Sequence, residues 1–180
     1  MATFFALLRG VNVGGANRVP MADLRTLLSA LGYTHITTLL NSGNAVFRAT
    51  TGTAPKHAEG IASALARELK VEVSVVVKSA EDWAAIVADC PINVEPSDHS
   101  KLLVAFAPNA TALSSLSAIE ALVVPPERLA LGRSAAYLYC ATGIHESKAG
   151  AALLGKLGKL VTTRNWATVL KLAALADGAA

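Results

Sequence analysis

The order of the apolar runs constrains this chain more than any single motif, because that order occurs twice. Residues 3–9 (TFFALLR) read as a strand, and Pro20 suits the first position of a helix, where its missing N–H costs little. Met21, Leu24, Leu27, Leu28 and Leu31 then recur at helical spacing until Gly32 ends the run. Two short β-prone runs, 35–40 and 45–48, flank Asn41-Ser42-Gly43-Asn44, whose Gly and Asn tolerate the positive φ of a tight hairpin. A second helix puts Ile61, Leu65 and Leu69 on one face, and 72–78 is a fourth strand. Ser79-Ala80-Glu81-Asp82 resembles a capping box, opening a third helix with Trp83, Ile86, Val87 and Cys90 inward. The proline-bearing stretch CPINVEPSDHS (90–100) reads as a linker.

After it the order returns: strand 101–107, helix 110–122, strand 128–131, turn 132–134, strand 136–140, helix 148–157, strand 159–162 and a closing helix 165–176. Each half is β-α-β-β-α-β plus one helix, with no residue-level similarity between the halves. That order is the ferredoxin-like one, an α+β fold in which an antiparallel sheet carries helices on one face. The expectation is two ferredoxin-like subdomains, 1–95 and 96–180, with their sheets packed together or joined edge to edge.

Composition removes several alternatives. The chain is 53% hydrophobic, but much of that is alanine, and no run approaches the roughly 18 to 20 unbroken apolar residues of a spanning helix. MATFFALLRG lacks the basic start and the cleavage site of a signal peptide and reads as a first strand. Two distant cysteines in apolar settings, Cys90 and Cys140, make no disulfide framework, so a reducing cytoplasm is the expected compartment. The net charge of +3 permits an anionic partner, yet no lysines or arginines stand consecutively as in dedicated nucleic-acid binders.

The expected topology decides which motifs meet. With sheet order 4-1-3-2, the end of strand one and the hairpin between strands two and three fall on the same edge. The loop RGVNVGGANR (9–18) and the hairpin 41–44 should therefore be neighbours. In the second half, the start of the second helix (Glu146, Ser147, Lys148) should share an edge with the exit of the last strand (Thr162, Thr163, Arg164, Asn165, Trp166). Lys148 and Arg164 would then lie near helix N-termini, where cations oppose the dipole and an anion or acidic partner would relieve them.

Several chemistries compete for these residues. Glycine-rich loops can cradle an anion on successive N–H groups, helped here by Arg9 and Arg18. The spacing G-x-x-x-G-G is neither the dinucleotide fingerprint nor a P-loop, and Pro20 removes a donor from the helix start. Any anion would sit on loop amides 13–16, and a purely structural strand-to-helix loop is the plainer alternative. Single-stranded nucleic acid would need Phe4, Phe5 or Phe47 exposed on the sheet, although adjacent Phe4 and Phe5 must face opposite ways. Asp98-His99-Ser100 places triad residue types side by side, but a working triad is assembled from distant segments. His35, His57, His99 and His145 have no metal-ligand spacing, so no metal or cofactor is expected. His145, beside Glu146, is more simply an exposed loop histidine. Trp166, Val169, Leu170 and Ala173, like Trp83, fit core stripes.

Taken together, RGVNVGG, NRVPMADLR, NSGNAVF and TTRNWATVLKL make the chain resemble, end to end, the domain of unknown function 1697 family of bacterial proteins. The resemblance implies paired ferredoxin-like subdomains and no assigned activity, cofactor or substrate. Its motifs match Arg9, Gly10, Asn12, Gly14, Gly15, Ser42, Gly43 and Asn44, then Ser147, Lys148, Thr163, Arg164, Asn165 and Trp166. The chain departs from the family pattern at Ala16, where a basic residue is common, and at Asn41, where glutamine is common.

The resulting expectation is a cytoplasmic protein that uses these polar loops, with Arg18, to bind a small anionic or phosphorylated ligand. The alternatives are single-stranded nucleic acid on the sheet face, an enzyme acting on a phosphorylated metabolite, and an interaction module with no small ligand. No membrane partner is expected, and the sequence assigns no oligomeric state.

Overall fold

A computed structural model describes residues 1–178. The chain divides into two compact units, Met1–Trp83 with the end of the last helix from Leu172, and Ala84–Lys171. The division falls inside a helix rather than at 95/96, and local contacts give the reason. The Trp83 ring stacks on Phe5 with centroids 4.2 Å apart, which holds the start of that helix to the first unit. Three residues on, the Ile86 carbonyl accepts a 2.7 Å hydrogen bond from the Tyr137 hydroxyl, and Arg133 pairs with Asp89 at 2.7 Å. Burial raises the Tyr137 phenol to about 12, with the Cys90 and Asp89 charges adding to the shift. The rest of the helix therefore belongs to the second unit.

The first unit contains β1 (Ala2–Leu8), α1 (Met21–Ala30), β2 (Thr34–Leu39), β3 (Asn44–Ala49), α2 (Ala54–Ala64), β4 (Val75–Ser79) and the start of α3 (Ala80–Ala88). Its sheet order is β2-β3-β1-β4, with every neighbouring pair antiparallel. This is the expected 4-1-3-2 order. On one face Phe4, Ala6 and Leu8 meet Ala45 and Phe47 under Leu24 and Leu28 of α1 and Ile61 of α2. Phe5 and Leu7 point the other way and are also buried, so FFALL is apolar at every position rather than at alternate ones. Pro20 is the residue before α1 rather than its first residue. A π-helical turn, Leu65–Leu69, extends α2 to left-handed Lys70, so β4 starts at Val75 instead of 72. Ser79 caps α3 as expected, its hydroxyl accepting from the Asp82 N–H at 3.1 Å and donating to the Asp82 carboxylate at 2.9 Å.

The second unit repeats the design with β5 (Leu102–Phe106), α4 (Ala110–Ser114), β6 (Arg128–Leu131), β7 (Ala135–Tyr139), α5 (Lys148–Leu154), β8 (Thr162–Asn165) and the first half of α6 (Trp166–Gly178). The sheet order is β6-β7-β5-β8, again antiparallel throughout. Leu103, Ala105, Ala136 and Leu138 form the core with Leu116, Ile119 and Leu153. The helix expected over 110–122 is α-helical only to Ser114 and then 3₁₀ to Leu122. Helix α5 stops at Leu154 before Gly155, and turns occupy 155–160. The last strand is therefore 162–165, not 159–162. Its β-branched threonines pair with β5 from Phe106↔Thr162 to Leu103↔Asn165.

One buried histidine makes stability pH-dependent. His57 is 6% exposed among Phe4, Phe47 and Tyr33, and its Nδ1 lies 2.9 Å from the Tyr33 hydroxyl. Its Nε2 is buried and has no hydrogen-bond partner in the described residues. Burial pushes the imidazole below its ordinary 6.5, because a second N–H would be enclosed without an acceptor. The unfolded chain then binds a proton more readily than the folded one. His57 contributes no penalty above about pH 6.5, and stability falls as pH drops below that value toward the folded-state pKa. In urea unfolding between pH 7.5 and roughly pH 5, His57→Gln should flatten this slope; an unchanged slope would exclude His57 as its source.

Candidate functional site

The first loop and the hairpin meet, as the sheet order requires. Leu8 N–H donates to the Gly43 carbonyl at 2.9 Å, and the Arg9 N–H donates to the carbonyl of Ser74, the residue before β4, at 2.9 Å. Asn12 makes the closest join. Its Nδ2 donates to the Asn41 carbonyl at 2.6 Å and to the Val19 carbonyl at 2.8 Å, while its Oδ1 accepts from the Val19 N–H at 2.8 Å. Both ends of one side-chain amide are thereby used to close the loop and fasten it to the hairpin. Asn12 adopts φ 57°, a conformation that Asn tolerates better than most residues.

Beyond Asn12 the chain forms a small ribbon. Asn12 N–H donates to the Asn17 carbonyl at 3.1 Å, and Ala16 N–H donates to Val13 at 3.2 Å, with Val13 and Ala16 bridged as β partners. The central Gly14 and Gly15 both have positive φ, 59° and 80°, the signature of a two-residue hairpin turn. Asn17 Nδ2 reaches the Gly10 carbonyl at 3.3 Å. Residues 12–18 are all exposed, Val13 by 67%, while Val11 and Val19 anchor the base in the core. The cradle expected over amides 13–16 is thus narrower than the sequence suggests, because the Ala16 N–H is committed. Gly14 and Gly15 N–H make no hydrogen bond among the described residues.

The hairpin residues have structural work of their own. Asn44 is fully buried as the first residue of β3, and its Nδ2 donates to the Leu39 carbonyl at 2.9 Å and the Ser42 hydroxyl at 3.0 Å. The turn is shifted by one residue from 41–44, with left-handed Leu40 and Gly43 at its two ends. Gly43 is buried against β1.

The second constellation is mostly capping and strand. Ser147 accepts from the Gly150 N–H at 2.9 Å as the N-cap of α5, and Asn165 accepts from the Thr168 N–H at 2.9 Å at the start of α6. Thr163 and Arg164 are strand residues opposite Ala105 and Val104, not a loop. The Arg164 guanidinium folds onto the Thr162 hydroxyl at 2.9 Å and the Thr163 carbonyl at 2.7 Å, and desolvation lowers its pKa to about 10. Lys148 opens α5 and is exposed. The start of β5 and the ends of β7 and β8 lie at one sheet edge, through Leu103↔Asn165 and Cys140 N–H to the Lys101 carbonyl at 2.9 Å, and α5 begins there because its Gly150 packs against Cys140.

Other links were not read from the sequence. Asp98 accepts from the Tyr139 hydroxyl at 2.6 Å and pairs with Lys101 at 2.8 Å, and those bonds, Lys101 first, hold its carboxyl below the usual range. Arg128 lies over the Tyr139 ring at 5.2 Å. Asp98 thus serves the fold of the segment entering β5, while no hydrogen bond joins it to His99 or Ser100 among the described contacts. No sequence pattern announced the Tyr139 partner, since it lies 41 positions away. Among the described residues no group of three His, Cys, Asp or Glu could hold a metal ion, and no helix is long and apolar enough to cross a membrane.

Two four-stranded antiparallel sheets with the same 4-1-3-2 order, each carrying helices, define a protein of paired ferredoxin-like subdomains. The chain belongs to the DUF1697 family, proteins of unknown function, whose pattern it matches over residues 1–137. A solved structure with the same fold is that of the conserved bacterial protein SP0830 from Streptococcus pneumoniae. It superposes with a TM-score of 0.77 at 24% identity, over 97% of this chain and 98% of that one. No curated protein matches the sequence.

Proposed function

We propose that the protein is a binding module and that ribbon 12–18 is its contact element for a small anionic or phosphorylated ligand. One observation carries this reading: a pre-formed positive-φ turn presents the exposed Gly14 and Gly15, whose N–H groups are unspent among the described residues, on the same ribbon as the exposed Arg18. Two oriented amides and one guanidinium suit a phosphate or carboxylate. The brace through Asn12 lowers the ordering cost of binding, because the loop is already folded. Asn12, Ser42, Asn44, Ser147, Arg164 and Asn165 support the scaffold in this reading. Gly14, Gly15 and Arg18 contact the ligand.

The bracing-only alternative draws on the saturation of Asn12. The nucleic-acid alternative lacks exposed rings on the central strands, since Phe4 and Phe47 are core and Phe5 is buried beneath Trp83.

A thermal-shift screen against phosphorylated metabolites tests the proposal. A ligand at 100 times its Kd adds about 2.7 kcal/mol, or roughly 5 to 10 °C in Tm for a chain this size. Arg18→Ala should abolish the shift and leave the ligand-free Tm within about 1 to 2 °C of wild type. No shift across the panel, with normal folding, sinks the proposal. A shift that survives Arg18→Ala moves the site elsewhere.

A further inference from the structure

The connection between α5 and β8 contains a tandem repeat, Gly155-Lys156-Leu157-Gly158-Lys159-Leu160, preceded by Leu154. Its leucines face solvent: Leu154 is 45%, Leu157 37% and Leu160 50% exposed. Three of the eight large hydrophobic side chains exposed among the described residues therefore fall within seven positions. Lys156 and Lys159 alternate with them and are exposed too. The backbone is built for this display. The Lys159 N–H closes on the Lys156 carbonyl at 3.4 Å and the Val161 N–H on Gly158 at 3.1 Å. Gly158 is buried, and a Cβ there would overlap the Leu153 carbonyl, so the path requires glycine.

Charge supplies the second observation. Segment 147–176 holds five Lys or Arg and no Asp or Glu, whereas the other 150 residues hold 11 against 13. The positive charge of the whole chain is concentrated in the stretch that carries the exposed leucines.

We propose that this turn is a peripheral docking surface for an anionic lipid bilayer. Leucines enter the acyl boundary while the interleaved lysines stay at the level of the headgroup phosphates, their stems lying along the apolar layer. Such contact needs no spanning helix. A turn with an exposed apolar residue at every third position suits a fluid layer, into which each side chain sinks separately. A base-stacking strand would call for aromatic rings, of which the repeat has none.

Co-sedimentation of the full chain with vesicles tests this. The protein should pellet with phosphatidylglycerol–phosphatidylcholine vesicles and remain in solution with phosphatidylcholine alone. Lys156→Gln with Lys159→Gln should weaken binding by about 30-fold, at roughly fivefold per lysine. Leu157→Ser with Leu160→Ser should weaken it by about tenfold or more while the charge is unchanged. Circular dichroism should show wild-type melting for both, since all four side chains are exposed; if the leucine pair melts early, Leu160→Ser alone carries the comparison. Failure to pellet with the anionic vesicles overturns the proposal, as does equal binding to neutral ones or indifference to both pairs of substitutions. Retention on an immobilised acidic peptide without vesicle binding would instead assign the surface to an acidic protein.

Discussion

Gly43→Ala is expected to destabilise the protein by about 3 to 4 kcal/mol, a Tm loss of roughly 10 °C. Two independent effects add. Gly43 adopts φ +78°, where an L side chain costs about 1 to 2 kcal/mol. A Cβ would also lie 2.6 Å from Leu8 Cβ and 2.7 Å from Val11 Cγ2. The Leu8 Cβ is fixed by the central strand, whose backbone pairs with β3 and β4, so it cannot swing aside as the end of a flexible chain would. Relief requires the hairpin to lift, which breaks the 2.9 Å bond from Leu8 N–H to the Gly43 carbonyl. Gly14→Ala is the matched control. Its φ is +59°, but a Cβ there meets nothing within 4 Å, so only about 1 kcal/mol of backbone strain is expected. Denaturant unfolding of both variants separates strain from overpacking. Equal losses would show that the contact with β1 contributes nothing.

That contrast also marks what could be read from the sequence. NSGN announced a hairpin, and the element order placed it beside loop 9–18, because a 4-1-3-2 sheet allows no other edge for the two. Topology is legible from periodicity and turn residues, since both act locally. The purpose of each glycine is not. Gly14 and Gly43 both need positive φ, yet only Gly43 also avoids a collision, and that depends on Leu8, 35 positions earlier. The last strand falls at 162–165 rather than at 159–162 for a related reason. KLVT and TTRN are similarly β-prone, and the choice is made by pairing with β5 and by the turns that Gly155 and Gly158 permit. The shift turned Thr163 and Arg164 from presumed loop contacts into strand residues. The meeting of loop 9–18 with the hairpin is legible as a place. What the side chains there bond to is not, because the hydrogen bonds that occupy Asn12, Asn44, Ser147 and Asn165 run to backbone atoms, which sequence patterns do not display.

Asn12→Ala should cost about 3 kcal/mol, a Tm loss of roughly 6 to 12 °C, although the residue is exposed. The substitution removes three hydrogen bonds between 2.6 and 2.8 Å. Val19 is fully buried, so its N–H loses the Asn12 oxygen at a point poorly reached by solvent. Alanine also tolerates φ 57° less well than asparagine. Asn12→Gly separates the two contributions: it relieves the backbone but restores no bond, so it should recover about 1 kcal/mol of the loss. Asn12→Asp keeps the acceptor for Val19 N–H and loses both donors, which would place a carboxylate against the Val19 and Asn41 carbonyls. It should therefore be worse at neutral pH than below about pH 4, where the protonated acid regains one donor. A folded-state brace predicts this ordering, whereas a side chain that serves only a ligand predicts three variants with wild-type Tm. Hydrogen exchange gives the local counterpart. The Val19 and Asn12 amides, protected in the wild type by Asn12 Oδ1 and the Asn17 carbonyl, should lose protection in Asn12→Ala before the β1–β3 ladder does. If the amides of β1 open together with the loop, the brace is part of the sheet's cooperative unit, and ribbon 12–18 cannot move independently of the hairpin it is fastened to.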